Sequence, residues 1–225
     1  MDDALISLLA ASIAFVGTHF ALSHPLRAPL VGILGATGFM AVYSLIAAGC
    51  MAWMYFAFVA APAGGLATSG EVGWIVATVL TLPALVLFLG SLKGNPALPA
   101  PGAEKLAMQR PRGVFAVTRH PMMWGFALWA LSHILLLWSW RTMIVAGAIL
   151  VLALVGAHMQ DRKKEALMGA AWKEWEAKTS YWPRWGKIFG AGLLLWAIAI
   201  AAWIGISYWH VSAAGIPAGV FRWLG

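Results

Sequence analysis

The sequence predicts an all-α protein, a polytopic membrane helical bundle of six transmembrane helices with a cytoplasmic amphipathic helix. Three observations predict it. The 225 residues are 62% hydrophobic and only 10% charged, whereas soluble domains carry about 25% charged residues. Mean hydropathy is +0.81, and a chain this poor in polar groups cannot cover a water-soluble globule of its size. The apolar residues also gather into runs of about 20, the length that crosses a hydrocarbon core. A net charge of +7 would suit nucleic acid, but the basic residues stand between apolar runs, which is a topology signal instead.

The first span is expected over 4–22, in "MDDALISLLAASIAFVGTHFAL". Asp2 and Asp3 precede it where a secretory signal would carry positive charge, so a retained span is expected. The second, over 32–60, is long enough to tilt or to project. The third, over 72–92, contains Pro83, where a kink is expected and neighbouring helices can satisfy the freed carbonyl. The fourth, over 122–138, is short. Pro121 suits its first turn, and the helix is expected to continue down from "VFAVTRHP". The fifth and sixth fall over 142–159 and 188–209. Together they make one membrane domain over 1–225.

The connector "GNPALPAPGAEKLAMQRPRGVFAVTRHP" is rich in Pro and Gly and reads as irregular. In "DRKKEALMGAAWKEWEAKTSYWPRW", Leu167, Ala171, Trp172 and Trp175 recur at near-helical spacing. This predicts a basic amphipathic helix on the membrane surface, ending at Thr179–Ser180 before Pro183. Every Lys and Arg except Arg141 and Arg222 falls on one side of the six spans. That side is then cytoplasmic, and both termini are periplasmic. Trp74, Trp138, Trp140, Trp209 and Trp223 lie near span ends, as interfacial anchors do. The single cysteine, Cys50, excludes an intrachain disulfide and argues against a thiolate metal site. No Gly-rich phosphate loop, nucleophile elbow or metalloprotease motif occurs.

The chemistry-bearing residues are histidines. "WALSHILLLW" places His133 within an apolar run, where a charge would cost about 2.5–3.5 kcal/mol and even a neutral imidazole needs a partner. His19 and His158 fall near the cytoplasmic ends of the first and fifth spans, and His120 opens the fourth. His24 is expected at the interface and His210 in solvent. A core imidazole bonded to a neighbouring helix explains any one of these; several on different spans favour a ligand set. Imidazole suits haem iron, zinc and copper. Haem b fits best, because structural zinc wants four ligands, the predicted spans hold no deep carboxylate, and Cys50 is isolated. Trp129 and Phe126 lie four and seven residues before His133 on its helical face. They could wall a macrocycle, although ordinary helix packing also accounts for them.

Three stretches, "THFALSHPLR", "RHPMMWGFALWALSHILLLW" and "DRKKEALMGAAWKEWEAKTSYWPRW", occur in the order and at the spacing of one family. By these the chain resembles the NnrU family of membrane proteins over nearly its whole length. The resemblance implies a bacterial inner-membrane protein associated with denitrification, in nitrite and nitric oxide metabolism. The family also includes the haem b-dependent 15-cis-zeta-carotene isomerase, which implies isomerase or redox chemistry on a lipophilic small molecule. By motif, that enzyme's two histidine ligands correspond to His19 and His133, the metal ligands implied here. Its switch cysteine corresponds to Ala130, so the redox ligand switch is not implied. At about 1.5 Å per residue, His133 lies roughly 18 Å from Met122, whereas His19 lies within about 8 Å of its span end. His158 is therefore retained as a substitute ligand.

"RHPMMWG" followed by the later aromatic stretch also resembles the C-terminal half of isoprenylcysteine and phospholipid methyltransferases. Arg119, His120, Glu165, Trp172 and Trp175 fall at places that hold S-adenosylmethionine there, with Trp where Tyr is usual. A cap and anchor on the fourth span is the plainer reading of Arg119 and His120. Three functions are thus expected to compete. One is a haem b protein, if an enzyme then of the isomerase type. Another is a membrane methyltransferase. The third is a non-enzymatic accessory to a respiratory reductase.

Overall fold

A computed structural model describes residues 2–99 and 101–224, leaving aside the side chains of 66 and 67. The chain divides into two compact units, Met1–Thr68 with Leu137–Leu152, and Ser69–Leu136 with Ala153–Gly225.

In the first unit, α1 spans Asp3–Ser23. Its start is capped by Asp2, whose carboxylate accepts the Ala4 N–H at 2.8 Å, and Asp3 in the first turn suits the positive end of the helix dipole. Helix α2 spans Arg27–Ala60 but is interrupted at Gly35, with φ 69° and ψ 168°. Only glycine takes that conformation without strain, so the long apolar run becomes a short segment followed by a helix over 36–60. Helices α1 and α2 pack through Leu5, Leu8, Ala57 and Ala61, and again through Ala11, Phe15 and Met54. Ile144, Val145 and Leu152, from the first part of α7 (Trp140–Met168), complete these clusters. Most of α2 stays exposed, with Ile33, Leu45, Phe56 and Val59 pointing outward, as a lipid-facing helix requires. Two short strands, β1 (Gly65–Thr68) and β2 (Leu137–Ser139), pair antiparallel with Gly65 opposite Ser139 and Thr68 opposite Leu137.

In the second unit, α3 (Gly70–Gly90) continues through Pro83. Helix α6 (Pro121–Leu136) packs along it. Gly125 permits the close approach, since a Cβ there would stand 2.8 Å from the Ala84 carbonyl oxygen. Helix α9 (Leu193–Ala214) also packs on α3, and the Trp203 indole donates to the Thr81 hydroxyl at 2.9 Å.

Five helices are long and apolar enough to cross a membrane: α1, α2, α3, α7 and α9. The expected fourth span is the exception. Helix α6 has 16 residues, about 24 Å at 1.5 Å per residue, against a core of about 30 Å. It does not continue from "VFAVTRHP". That stretch forms a separate turn, α5 (Val114–Val117), and then extends at Thr118, with φ −152° and ψ 153°. The Arg119 N–H is donated to the Ser180 carbonyl at 2.8 Å instead of to a helix. Pro121 does open α6, where its missing N–H costs nothing. The Pro-rich connector folds as turns around α4 (Ala103–Ala107).

Helix α7 runs past the expected end to Met168 and stops at Gly169, φ 52°. Helix α8 (Ala170–Lys178) follows. Its Trp172 and Trp175 are 0% and 2% exposed, set against protein, with Phe115 5.9 Å from Trp175 and His120 6.5 Å from Trp172. The apolar face expected against the membrane is therefore occupied by the fold, while Leu167 is exposed. Before α9 the chain makes a 3-10 turn, Trp185–Ala191, so the last long helix begins at Leu193 rather than at Ile188.

Candidate functional site

Two imidazoles are set up in the same way. His19 on α1 donates Nδ1–H to the Phe15 carbonyl at 2.7 Å, and the two rings lie 4.3 Å apart. His133 on α6 donates Nδ1–H to the Trp129 carbonyl at 2.8 Å, and those rings also lie 4.3 Å apart. In each case an aromatic residue one turn earlier lies against the histidine ring at a tilt, and its carbonyl fixes the tautomer. A carbonyl can only accept, so Nδ1 carries the proton and Nε2 keeps its lone pair, the form in which imidazole binds iron or another metal. Around His19, Tyr43 adds an edge contact at 5.4 Å. Around His133, the Ser132 hydroxyl lies 3.2 Å from Nδ1. Both side chains are half-buried.

His19 belongs to the first unit, whereas His133 and His158 belong to the second. His158 is exposed. Phe126 lies on α6 but pairs with Phe88 of α3 at 5.3 Å, so of the two proposed wall residues it is Trp129 that touches the imidazole. Ala130, where the isomerase has its switch cysteine, is fully buried. His24 ends α1, and His210 bonds back to the Ile206 carbonyl at 2.8 Å. Among the described residues, no group of three or more His, Cys, Asp or Glu side chains could hold a metal ion.

A different constellation lies at the start of α6. The Arg119 guanidinium grips Asp161 of α7 with Nε at 2.9 Å and Nη2 at 2.7 Å from Oδ2. His120 Nε2–H donates to Asp161 Oδ1 at 2.8 Å. Asp161 is 5% exposed and His120 2%. Glu176 of α8 stands 3.6 Å from Arg119, and the Tyr181 ring lies under the guanidinium at 5.5 Å. Three backbone-directed bonds tie the following segment to this place: Thr118 Oγ1 and Trp124 Nε1 both donate to the Tyr181 carbonyl, at 2.7 and 2.9 Å, and Tyr181 Oη donates to the Leu154 carbonyl at 2.8 Å.

The electrostatics follow from burial. Loss of water raises the Glu176 carboxyl above its ordinary value, and the Asp161 charge raises it further, against the pull of Arg119. Tyr181 is raised for the same first reason. His120 Nδ1, Trp172 Nε1 and Trp175 Nε1 have no hydrogen-bond partner among the described residues. Of the residues matched to S-adenosylmethionine enzymes, Arg119 and His120 are thus engaged with Asp161 and Trp172 and Trp175 are buried. Glu165 gives its backbone carbonyl to the Gly169 N–H. Asp161 and Tyr181 were missed from sequence. The available signal was a lone Asp directly after an apolar run and before the basic "RKK".

Long apolar helices and a carboxylate clamped by Arg119 and His120 at the start of α6 define an integral membrane protein. The family described as NnrU protein matches residues 7–218, and the chain belongs to that family. No curated protein and no solved structure matches it.

Proposed function

We propose that this NnrU family member binds haem b through membrane histidines, with His19 and His133 as its iron-ligating imidazoles. The observation that carries the reading is the repeated unit of aromatic residue, one helical turn and histidine, which leaves Nε2 unprotonated at both positions. The donor set fits haem: neutral imidazoles with aromatic neighbours, and one such ligand already suffices to hold the iron. Haem would supply electron transfer or Lewis-acid chemistry on a lipophilic molecule arriving through the bilayer. The chain's own residues orient the two imidazoles, hold their protons at Nδ1 and exclude water from them. Association with nitrite and nitric oxide metabolism is part of this proposal and rests on family membership.

The placement proposed is the bacterial inner membrane with both termini periplasmic, because with six crossings, α6 counted among them, the basic residues other than Arg141 and Arg222 fall in connections on one side. A reporter active only after export, fused at either terminus, should be active; an inactive fusion at either end overturns this orientation. The cofactor is tested by the optical spectrum of protein purified from haem-replete cells. A Soret band is expected, weakened or shifted in His19→Ala and in His133→Ala. Colourless protein, or a band indifferent to both substitutions, overturns the reading.

A further inference from the structure

We propose that a basic pocket at the foot of α9 holds the phosphate headgroup of an anionic phospholipid. Arg110, Pro111, Arg112, Lys178 and Lys187 line an open cavity of about 550 Å³. Four of the five are cations, drawn from the connector before α5, the end of α8 and the 3-10 turn before α9. No carboxylate lines the pocket. Lys178 pairs with Glu174 beside it and donates to the Met108 carbonyl at 3.0 Å. Among the described residues, Arg110, Arg112 and Lys187 make no ion pair. Three unneutralised cations side by side repel one another, and an anion between them relieves that repulsion.

The pocket walls are held in place. The Arg184 N–H donates to the Val117 carbonyl at 2.8 Å and the Lys187 N–H to the Arg184 carbonyl at 2.9 Å. These bonds bring the turn carrying Lys187 against α5, just beyond Arg110 and Arg112 in the chain. The chain on either side of Lys187 points to the source of the phosphate. Trp182, Trp185 and Phe189 are 67%, 43% and 80% exposed, and Leu193 and Leu194 follow at 88% and 75%. Exposed aromatics next to basic residues at the start of an apolar helix mark the membrane interface. A free soluble anion has no use for those exposed apolar residues beside Lys187. A lipid does: its headgroup meets the cations while its acyl chains run along α9.

The test uses the full chain in non-ionic detergent, with melting followed as phosphatidylglycerol, phosphatidylcholine or inorganic phosphate is added. Phosphatidylglycerol should raise the melting temperature, and phosphatidylcholine and phosphate should not. In R110Q/R112Q/K187Q the midpoint of the phosphatidylglycerol response should weaken about five-fold per cation removed, with the lipid-free melting temperature not lowered, because these side chains are exposed and their mutual repulsion is gone. Should that variant fold poorly, Arg112→Gln alone is measured at low and high salt, and both changes should weaken the response. Equal responses to the two lipids, a full response to phosphate alone, or an unaffected variant each overturn the proposal.

Discussion

The two ends of α6 treat histidine in opposite ways. His120, just before the helix, is buried and gives Nε2–H to Asp161. His133, in the last turn, is half-buried, bonds only within its own helix segment and leaves Nε2 open. The first arrangement consumes the imidazole in structure. The second leaves Nε2 without a hydrogen bond among the described residues. The cause is what lies nearby: a carboxylate and a guanidinium at one end, and a single aromatic residue one turn back at the other. An imidazole that satisfies itself through a local carbonyl needs no partner helix, so it remains available to bind a ligand.

The comparison breaks first at Asp161. Asp161→Ala removes the carboxylate that accepts from both Arg119 and the buried His120 and should cost about 3–5 kcal/mol, read as a large drop in melting temperature or loss of folded protein. Paired substitutions sharpen the contrast. His120→Ala should destabilise by about 1–3 kcal/mol, the cost of an unsatisfied buried group, and leave any Soret band in place. His133→Ala should do the reverse, altering the spectrum at a stability change within about 1 kcal/mol. If both substitutions behave alike, the distinction between the two ends fails. Between them, Gly125→Val drives a side chain toward the Ala84 carbonyl and should cost about 1–3 kcal/mol from overpacking, seen by thermal melting.

The smallest effect concerns Glu176. Its raised pKa means that the folded state holds the carboxyl proton to higher pH than the unfolded chain does. Its contribution is therefore most favourable below the ordinary carboxylate range and is lost as pH rises through the folded value. Glu176→Gln should flatten the melting temperature against pH across that window and leave the remaining profile intact.

Several features were legible because they depend on local chemistry. Asp2 caps α1, Pro121 starts α6, and the chain leaves α8 at Thr179, all as the residue types dictate. The histidines of interest were equally visible as polar residues in apolar runs. Asp161 was not. A carboxylate two residues past an expected span end reads as a solvated terminus, and only the extension of α7 to Met168 places it against Arg119 and His120. Trp172 and Trp175 were visible as one face of a helix, yet their spacing could not say whether lipid or protein covers that face.

By itself the sequence determined the membrane class, five of its six expected spans as long apolar helices and the family, since hydrophobic length and motif order are properties of the chain alone. Tertiary structure decided which imidazole is spent on a carboxylate and which stays open, where α6 stops, and which surface buries the α8 tryptophans. Each of these turns on distances of a few ångströms between residues about 40 to 60 positions apart, and no local pattern encodes them.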